Sequence, residues 1–296
     1  MPNMPLLRIS AISYLNTAPL MWDFENGEPA EKLKQHFQVS YTIPSQCADE
    51  LKAGSADIGI IPAAAYTTIP DLLIIPDVAI ACKNQVRSIL LVSKVPLDKI
   101  RNVATDNSSR TSTALVQIFL RKFVGVNPGF TPQKPDLVEM LRWHDAGLLI
   151  GDVALQAQTT GLYVYDLAEE WRRWTYLPFV FAFWAVREPA LEKAGASLNI
   201  ARVFQQSRDN GLQHVAEIAK SWAGRLKLPE MSIHEYLTSN IDYSLDEENL
   251  RGLNLFYRYA TECGVLPLAP ELRFLNQAHA IGSLGRHHPS SPTTCA

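Results

Sequence analysis

The feature that most constrains the fold of this chain is a repeated alternation of short apolar runs with stretches of helical periodicity. The apolar runs have the length and composition of buried or half-buried strands, and polar or turn-forming residues separate them from the helical stretches. The strand-like runs are residues 6–12, 37–43, 57–61, 86–93, 102–105, 148–150 and 177–186. The helical stretches are residues 19–25, 45–54, 63–68, 112–123, 153–158, 191–225 and 246–263. This alternation predicts α/β architecture with mainly parallel sheet.

Composition argues against several classes of function. The 296 residues carry a net charge of -3 and no run of more than two basic residues, so nucleic acid is not the expected partner. No stretch approaches the roughly 18 apolar residues of a membrane span, and the first residues lack the pattern of a signal peptide. The histidines have no metal-binding spacing, and we expect neither a metal nor an organic cofactor. The cysteines are scattered, which predicts idle thiols in a reducing, cytoplasmic compartment; they are Cys47, Cys82, Cys263 and Cys295.

Polar loops connect several of the predicted strands to the helices that follow them. The first strand ends in "SYLNTAPL", the strand at 102–105 is followed by "DNSSRTSTAL", and the strand at 148–150 is followed by Gly151 and Asp152. In open α/β sheets, ligands bind outside the carboxyl ends of the strands, where helix N-termini attract carboxylates and phosphates. We therefore expect one site that collects these loops. Its candidate residues are Ser13, Asn16, Thr17, Ser108, Ser109, Arg110, Thr111, Ser112 and Asp152.

The loop chemistry indicates a small carboxylate-bearing ligand. Neither a G-x-G-x-x-G nor a P-loop pattern occurs, which argues against a nucleotide, and the loops offer neutral donors beside a helix start. Helix capping explains one Ser or Thr in each loop, but five hydroxyl or guanidinium residues in succession from Ser108 to Ser112 exceed what a cap requires. Asp152 can orient a substrate or cap its helix. Arg87 and Ser88 lie at the start of the predicted strand at 86–93. This start is either an edge position in a sheet or a point where the chain crosses from one lobe of the protein to another.

Several segments together resemble chorismate dehydratase, the first enzyme of the futalosine route to menaquinone. They are "ISYLNTAPL", "GSADIGIIP", "SILLVSK", "SSRTS", "LLIGDVAL", "YDLAEEW", "LPFVFAFWA" and "NIDYSLDEENLRGLNLFYRYA", and their order and spacing carry the resemblance from about residue 6 to residue 275. The chain departs from the family at Lys83-Asn84-Gln85, where a Gly-Pro turn is more usual. The polar residues 276–296 have no counterpart, and we expect them to form a disordered tail.

The resemblance implies a two-lobed fold of the type II periplasmic-binding-protein kind, with a ligand cleft between the lobes. Lobe 1 would comprise residues 1–90 and 186–275, lobe 2 residues 91–185, and the hinges would lie near residues 88–93 and 184–186. The implied activity is loss of water from chorismate to give 3-(1-carboxyvinyloxy)benzoate, without cofactor or metal. Asn16 matches the family's opening motif and is the first catalytic candidate. The proton acceptor stays open between Asp152 and the substrate's own enolpyruvyl carboxylate.

The residues Ser88, Ser108, Ser109, Arg110, Thr111 and Ser112, with Ser13 and Thr17, are the expected substrate-binding set. Two other functions compete. The sister enzyme 1,4-dihydroxy-6-naphthoate synthase shares the fold, but its opening motif resembles Ser-Pro-Cys-Pro-Asn-Asp-Thr, whereas this chain has "SYLNT". A non-catalytic protein that binds small carboxylates for a transporter needs export, and we expect none because no signal peptide or lipoprotein cysteine stands near Met1.

Overall fold

The computed structural model describes residues 5–194 and 198–276. Within them the chain forms two five-stranded sheets with helices around them. The strands are β1 Leu7–Ile12, β2 Phe37–Thr42, β3 Ile58–Pro62, β4 Leu72–Cys82, β5 Ile89–Ser93, β6 Asn102–Asp106, β7 Gly129–Gln133, β8 Ala146–Ile150, β9 Tyr163–Asp166 and β10 Phe179–Arg187. Cys295 and residues 277–296 of the expected tail lie outside the described residues.

The helices occupy the connections between strands and most of the chain after β10. They are α1 Trp22–Glu25, α2 Gly27–Leu33, α3 Pro44–Ala53, α4 Thr111–Ile118, α5 Leu137–Trp143, α6 Gly151–Leu155, α7 Leu167–Thr175, α8 Leu191–Ala194, α9 Ile200–Gln213, α10 Val215–Leu226, α11 Glu230–Glu235 and α12 Glu247–Glu262. Short 3-10 turns cover Leu15–Met21, Ala63–Thr68, Leu97–Lys99 and Glu188–Ala190, and π turns cover Phe119–Val124 and Tyr236–Asn240. In the described part of the chain, no helix combines the length and apolar character that crossing a membrane requires.

The two sheets share one topology. The first has the order β2-β1-β3-β10-β4 and the second β7-β6-β8-β5-β9. In each, the first three strands are parallel, and the fourth runs antiparallel to both of its neighbours. The expectation of mainly parallel sheet was therefore wrong for half of the strand pairs. The antiparallel strands, β5 and β10, are those that follow each passage of the chain from one sheet to the other.

Strand membership places the two passages between sheets. The chain leaves the first sheet after β4, enters the second at β5, leaves it after β9 and returns at β10. The segment from Trp184 to Val186, expected near a hinge, lies inside β10 and so within the first sheet. The limits of the two lobes stay a prediction, and strand membership favours passages at residues 83–88 and 167–178.

Asp166 ties the two passages together. One carboxylate oxygen accepts hydrogen bonds from the N–H groups of Val86 and Arg87, at 3.0 and 2.5 Å. The other accepts from the N–H groups of Ala168 and Glu169 at the start of α7, at 3.0 and 3.2 Å. Arg87 has a φ of 63°, an uncommon conformation for a residue with a side chain. Asp166 therefore fixes the backbone from which Ser88 enters the second sheet.

Candidate active site

The strands of both sheets converge on one cavity of about 50 Å³. Ile12 at the end of β1, Pro62 at the end of β3 and Ile150 at the end of β8 contribute to its wall, with Phe181 of β10 beside them. The wall is mostly apolar, and its polar side chains come from the segment after β1, the loop after β6 and the start of α4. Ligand sites in proteins usually span ~300–1,000 Å³, so binding a substrate here requires the surrounding side chains or the two sheets to move apart.

The structure brings only part of the expected residue set to this cavity. Asn16 and the four consecutive residues from Ser109 to Ser112 line it. Ser13 and Thr17 line an adjoining cavity of about 350 Å³, and Ser13 also bonds Thr42 at the end of β2 through its N–H at 3.1 Å. The expected residues that line neither cavity in the described part of the chain are Ser88, Ser108 and Asp152.

Tyr14 forms the partition between the two cavities, since it lines both. Its ring lies against Gly151 at the start of α6, and its hydroxyl is 3.2 Å from Ser108 Oγ. Ser108 Oγ in turn donates to a carboxylate oxygen of Asp106 at 2.6 Å, so the Tyr14 hydroxyl donates to Ser108. Burial raises the pKa of Tyr14, which keeps the hydroxyl protonated. Tyr14 thus connects the loop after β1 with the second sheet.

Asp106 lies behind this partition. It is buried at the end of β6, and one of its oxygens accepts both the N–H and the hydroxyl of Ser108, at 2.9 and 2.6 Å. Its other oxygen has no hydrogen-bond partner within the described residues. Burial raises the pKa of the carboxyl more than the Ser108 bonds lower it. Asp106 therefore holds the loop that leads into α4 without itself reaching the cavity.

The start of α4 supplies donors to the cavity in different ways. Thr111 contributes backbone only, because its hydroxyl donates to the carbonyl of Phe181 at 3.0 Å and accepts the N–H of Ala64 at 3.1 Å. The hydroxyls of Ser109 and Ser112 make no hydrogen bond to another residue that the structure describes, so both can serve a ligand. The Arg110 guanidinium forms an ion pair with Asp49 at 2.6 Å across the cleft.

Asp152 is engaged across the cleft as well. Its carboxylate accepts the N–H of Leu15 at 3.0 Å, which joins the start of α6 to the turn that carries Asn16. Burial raises the pKa of Asp152, against the opposing effects of the Leu15 hydrogen bond and of the charge on Arg225. This geometry is that of a contact between lobes. A role for Asp152 in proton transfer stays a prediction.

Asn16 and Ser88 have contacts that the sequence did not predict. Thr17 Oγ1 donates to Asn16 Oδ1 at 3.4 Å, which is a long hydrogen bond. The hydroxyl of Tyr236 donates to Ser88 Oγ at 2.8 Å. Tyr236 lies in the π turn after α11, far along the chain, and no local motif identifies it. Tyr14 stood inside the quoted "SYLNT", and Asp106 stood inside "TDNSSR", but neither had a predicted role.

The loop that departs from the family pattern is held away from the cavity. Lys83 Nζ contacts Asp246 at 2.8 Å and Asp242 at 3.4 Å. None of the residues from Lys83 to Gln85 lines the cavity among those the structure describes. Within the same described ranges, no group of three or more His, Cys, Asp or Glu side chains is arranged to hold a metal ion.

Comparison with known proteins gives a family and a fold. Residues 7–262 match the protein family described as menaquinone biosynthesis. The chain is 30% identical over 253 residues to the chorismate dehydratase of Thermus thermophilus, covering 79% of this chain and 89% of that protein.

Solved structures with similar folds have little sequence identity to this chain. A structural-genomics protein from Archaeoglobus fulgidus has a TM-score of 0.64 at 14% identity, covering 88% of this chain and 98% of the other. The alkanesulfonate-binding protein SsuA from Xanthomonas axonopodis pv. citri, bound to MOPS, has a TM-score of 0.62 at 16% identity, covering 89% and 96%. These similarities confirm the expected α/β fold of the periplasmic-binding-protein type.

Proposed function

The chain belongs to the menaquinone biosynthesis family, and from that premise we propose that it is a chorismate dehydratase. The enzyme is a hydro-lyase that removes water from chorismate to give 3-(1-carboxyvinyloxy)benzoate. The observation that carries this proposal is the similarity to the Thermus thermophilus dehydratase over most of both chains. The cavity is consistent with it, since uncharged donors and a helix start face an apolar wall that suits a ring bearing carboxylates.

To catalyse this reaction, the enzyme mainly needs to orient chorismate and to stabilise the negative charge that develops during proton removal. The ring proton beside the enolpyruvyl ether leaves first in our scheme, and its electron pair delocalises through the ring diene onto the ring carboxylate. The neighbouring hydroxyl then departs with a proton as water, and the ring becomes aromatic. Groups that stabilise negative charge on the ring carboxylate therefore lower the barrier to proton removal.

We assign the ring carboxylate to the start of α4. The helix has eight residues, so its unpaired N–H groups and dipole favour an anion at this end. The hydroxyls of Ser109 and Ser112 add donors on the same side of the cavity. Arg110 contributes positive charge from the rim, although its ion pair with Asp49 limits that contribution.

Asn16 is assigned to the departing hydroxyl. It lines the cavity from the turn after β1, and its amide can donate a hydrogen bond to the oxygen as the C–O bond breaks. An amide is too weak a base to take the ring proton at neutral pH. Asp152 is held by the Leu15 N–H outside the cavity wall, which favours the substrate's own enolpyruvyl carboxylate as the proton acceptor. Asp152 then acts by holding the Asn16 turn in the closed cleft.

Closure of the two lobes over chorismate would exclude water and complete the site. Lobe 1 would carry the first sheet with Asn16, and lobe 2 the second sheet with the start of α4.

We also propose that the enzyme acts in the cytoplasm. Cys47 and Cys82 are free and buried, and burial raises the pKa of each thiol to about 12, so neither serves as a nucleophile.

Product analysis tests the proposed function. The purified protein is mixed with chorismate, and the mixture is followed by chromatography and mass spectrometry. A product lighter than chorismate by one water, with the ultraviolet spectrum of a substituted benzoate, is the expected result. Binding of chorismate without conversion would overturn the proposal and favour a carboxylate-binding protein.

A further inference from the structure

The adjoining cavity has no role in the proposed chemistry, although it is the larger of the two. It measures about 350 Å³, against about 50 Å³ for the candidate active-site cavity, and the two share Ile12 and Tyr14 in their walls. Three of its other wall residues, Glu25, Tyr41 and Arg225, are exposed, so this cavity opens to solvent. A ligand that enters from this side therefore reaches Tyr14 before it reaches the candidate active-site cavity.

Arg225 is the positively charged residue of this wall. It lies in the last turn of α10, and its guanidinium carbon is 4.1 Å from the centre of the Trp222 ring, which lines the same cavity. Within the described residues the guanidinium forms no ion pair and no hydrogen bond. Stacking occupies one face of the guanidinium and leaves the N–H groups at its edge available to an anion.

The position of Arg225 at the end of a helix explains a positive charge but not this arrangement. A cation in the last turn interacts favourably with the helix dipole wherever its side chain points. Here the side chain lies over Trp222, in the wall of the cavity. The backbone beside it is fixed too, because the carbonyl of Leu226 accepts a hydrogen bond from Gln156 Nε2 at 2.7 Å. This bond joins the end of α10 to the segment after α6, so Arg225 lies close to the contact between the two parts of the molecule.

Glu25 is the other charged residue of this wall, and it has the opposite sign. Its carboxylate accepts a hydrogen bond from the hydroxyl of Tyr41. Glu25 is thus engaged by a neighbour, whereas the donors of Arg225 have no partner among the described residues. An anion in this cavity therefore finds a charged donor at Arg225 and is repelled by Glu25.

We propose that this cavity is the entrance to the active site, and that Arg225 binds a carboxylate of chorismate there before the lobes close. This inference rests on the proposed function. Tyr14 contacts Ser108 and Gly151 across the cleft, and these contacts break when the two sheets move apart, so that the two cavities form one cleft. In the closed structure Tyr14 stands between Arg225 and the candidate active-site cavity. The charge of Arg225 therefore acts on entry of the substrate and not on the chemical step.

Arg225→Gln removes the charge and keeps a polar side chain. Chorismate carries two carboxylates, so we expect its association rate constant to fall about three- to tenfold at an ionic strength of about 0.01 M. The difference should shrink to less than about 1.5-fold at about 0.5 M, where salt screens the charge. Arg225→Lys retains the charge and should retain most of the rate. In both variants kcat should stay within about twofold of the wild type, because a charge at the rim mainly changes association.

Stopped-flow tryptophan fluorescence with chorismate measures the association rate constant, with Asn16→Ala as the parent protein so that turnover is slow during binding. Trp222 places a fluorescent reporter beside Arg225 in the cavity wall. Lys220→Gln is the matched control, since Lys220 is exposed on the same helix and lines neither cavity among the described residues. It removes the same charge and should change the rate by less than about 1.5-fold. Equal rate constants for Arg225→Gln and Lys220→Gln would overturn the inference.

Glu25→Gln provides a test of opposite sign in the same wall. It removes the repelling charge, so chorismate should associate about two- to threefold faster at low ionic strength. A slower association would contradict electrostatic control of entry through this cavity. Product formation by the wild type separates the two levels of the account. Without conversion of chorismate, the proposed function fails and this inference with it. With conversion, but with Arg225→Gln associating as fast as Lys220→Gln, the inference alone fails.

Discussion

The ring of Tyr14 lies so close to Gly151 that a Cβ atom added to the glycine would stand 2.7 Å from Tyr14 Cδ2. Gly151 has a φ of +60°, in the left-handed region that favours glycine. The contact joins the loop after β1 in the first sheet with the start of α6 beyond the second. Glycine is therefore required at position 151 for two reasons: the backbone there is left-handed, and the ring of Tyr14 leaves no room for a Cβ atom.

Gly151→Ala is expected to damage both stability and substrate binding. The left-handed conformation alone costs about 1–2 kcal/mol for a residue with a Cβ atom. The collision with Tyr14 adds to that cost and pushes the partition between the two cavities out of place, so KM for chorismate should rise. Denaturant unfolding and steady-state kinetics measure the two effects.

Gly125→Ala separates backbone strain from the collision. Gly125 has a φ of +81°, and its Cβ would meet nothing within 4 Å. This variant should lose about 1–2 kcal/mol and keep the KM of the wild type. The interpretation of Gly151 fails if the two alanine variants lose the same stability and neither changes KM.

Two substitutions of Asp152 distinguish a contact between lobes from a proton acceptor. Asp152→Asn keeps an oxygen that accepts the Leu15 N–H but removes the base, whereas Asp152→Ala removes both. We expect Asp152→Asn to retain kcat within about threefold and Asp152→Ala to raise KM about tenfold, the equivalent of one lost hydrogen bond to a charged group. Steady-state kinetics with chorismate measures this. A large loss of kcat in Asp152→Asn would instead make Asp152 the proton acceptor.

The contacts of Asp57 predict how the free energy of unfolding depends on pH. Its buried carboxylate bonds Arg8 Nε at 2.9 Å and Lys193 Nζ at 2.8 Å. Burial opposes ionisation, but the bonds from Arg8 and Lys193 outweigh it and hold the pKa of Asp57 well below its usual range. Because the pKa of Asp57 is lower in the folded protein, Asp57 contributes to the free energy of unfolding. This contribution is complete above the unfolded pKa of about 3.9 and is lost as pH falls toward the folded value.

Asp57→Asn should therefore lower the free energy of unfolding at pH 7 and flatten its decline between about pH 5 and pH 2. Urea unfolding at a series of pH values measures both. Glu28→Gln is the control, since Glu28 pairs with Lys32 at 2.8 Å on the exposed surface, where such pairs contribute little. An unchanged pH profile in Asp57→Asn would show that Asp57 does not contribute in this way.

The parts of the fold that the sequence predicted are those with a strong local pattern. β3 and β8 are continuous apolar runs whose residues are all buried, and β1 is almost as buried although it contains Arg8 and Ser10. β4 was not predicted, because Pro76 and Asp77 interrupt its apolar run and Asp77 has a φ of 63°. β7 and β9 were missed because they are short edge strands with exposed residues, so no strong hydrophobic pattern is required of them.

The candidate site was predictable where it depends on loops at strand ends. Asn16 and the residues from Ser109 to Ser112 follow from the rule that ligands bind there, and they meet at one cavity. What the hydroxyl of Thr111 does was not predictable, because its partners are backbone groups far away in the sequence: Ala64 in the 3-10 turn after β3 and Phe181 in β10. The same holds for the bond of Tyr236 to Ser88, which depends on the packing of the π turn after α11 and has no signal in the sequence around it.

The most direct test of the account is the rate of a single turnover by Asn16→Ala at saturating chorismate, measured beside the affinity of the same variant for chorismate. The site geometry predicts that affinity stays within about tenfold of the wild type, because the donors at the start of α4 are intact. The rate of product formation should fall at least about 100-fold, the loss typical of removing one donor to a developing charge. A rate within about threefold of the wild type would contradict the assignment of this cavity as the site where Asn16 assists dehydration.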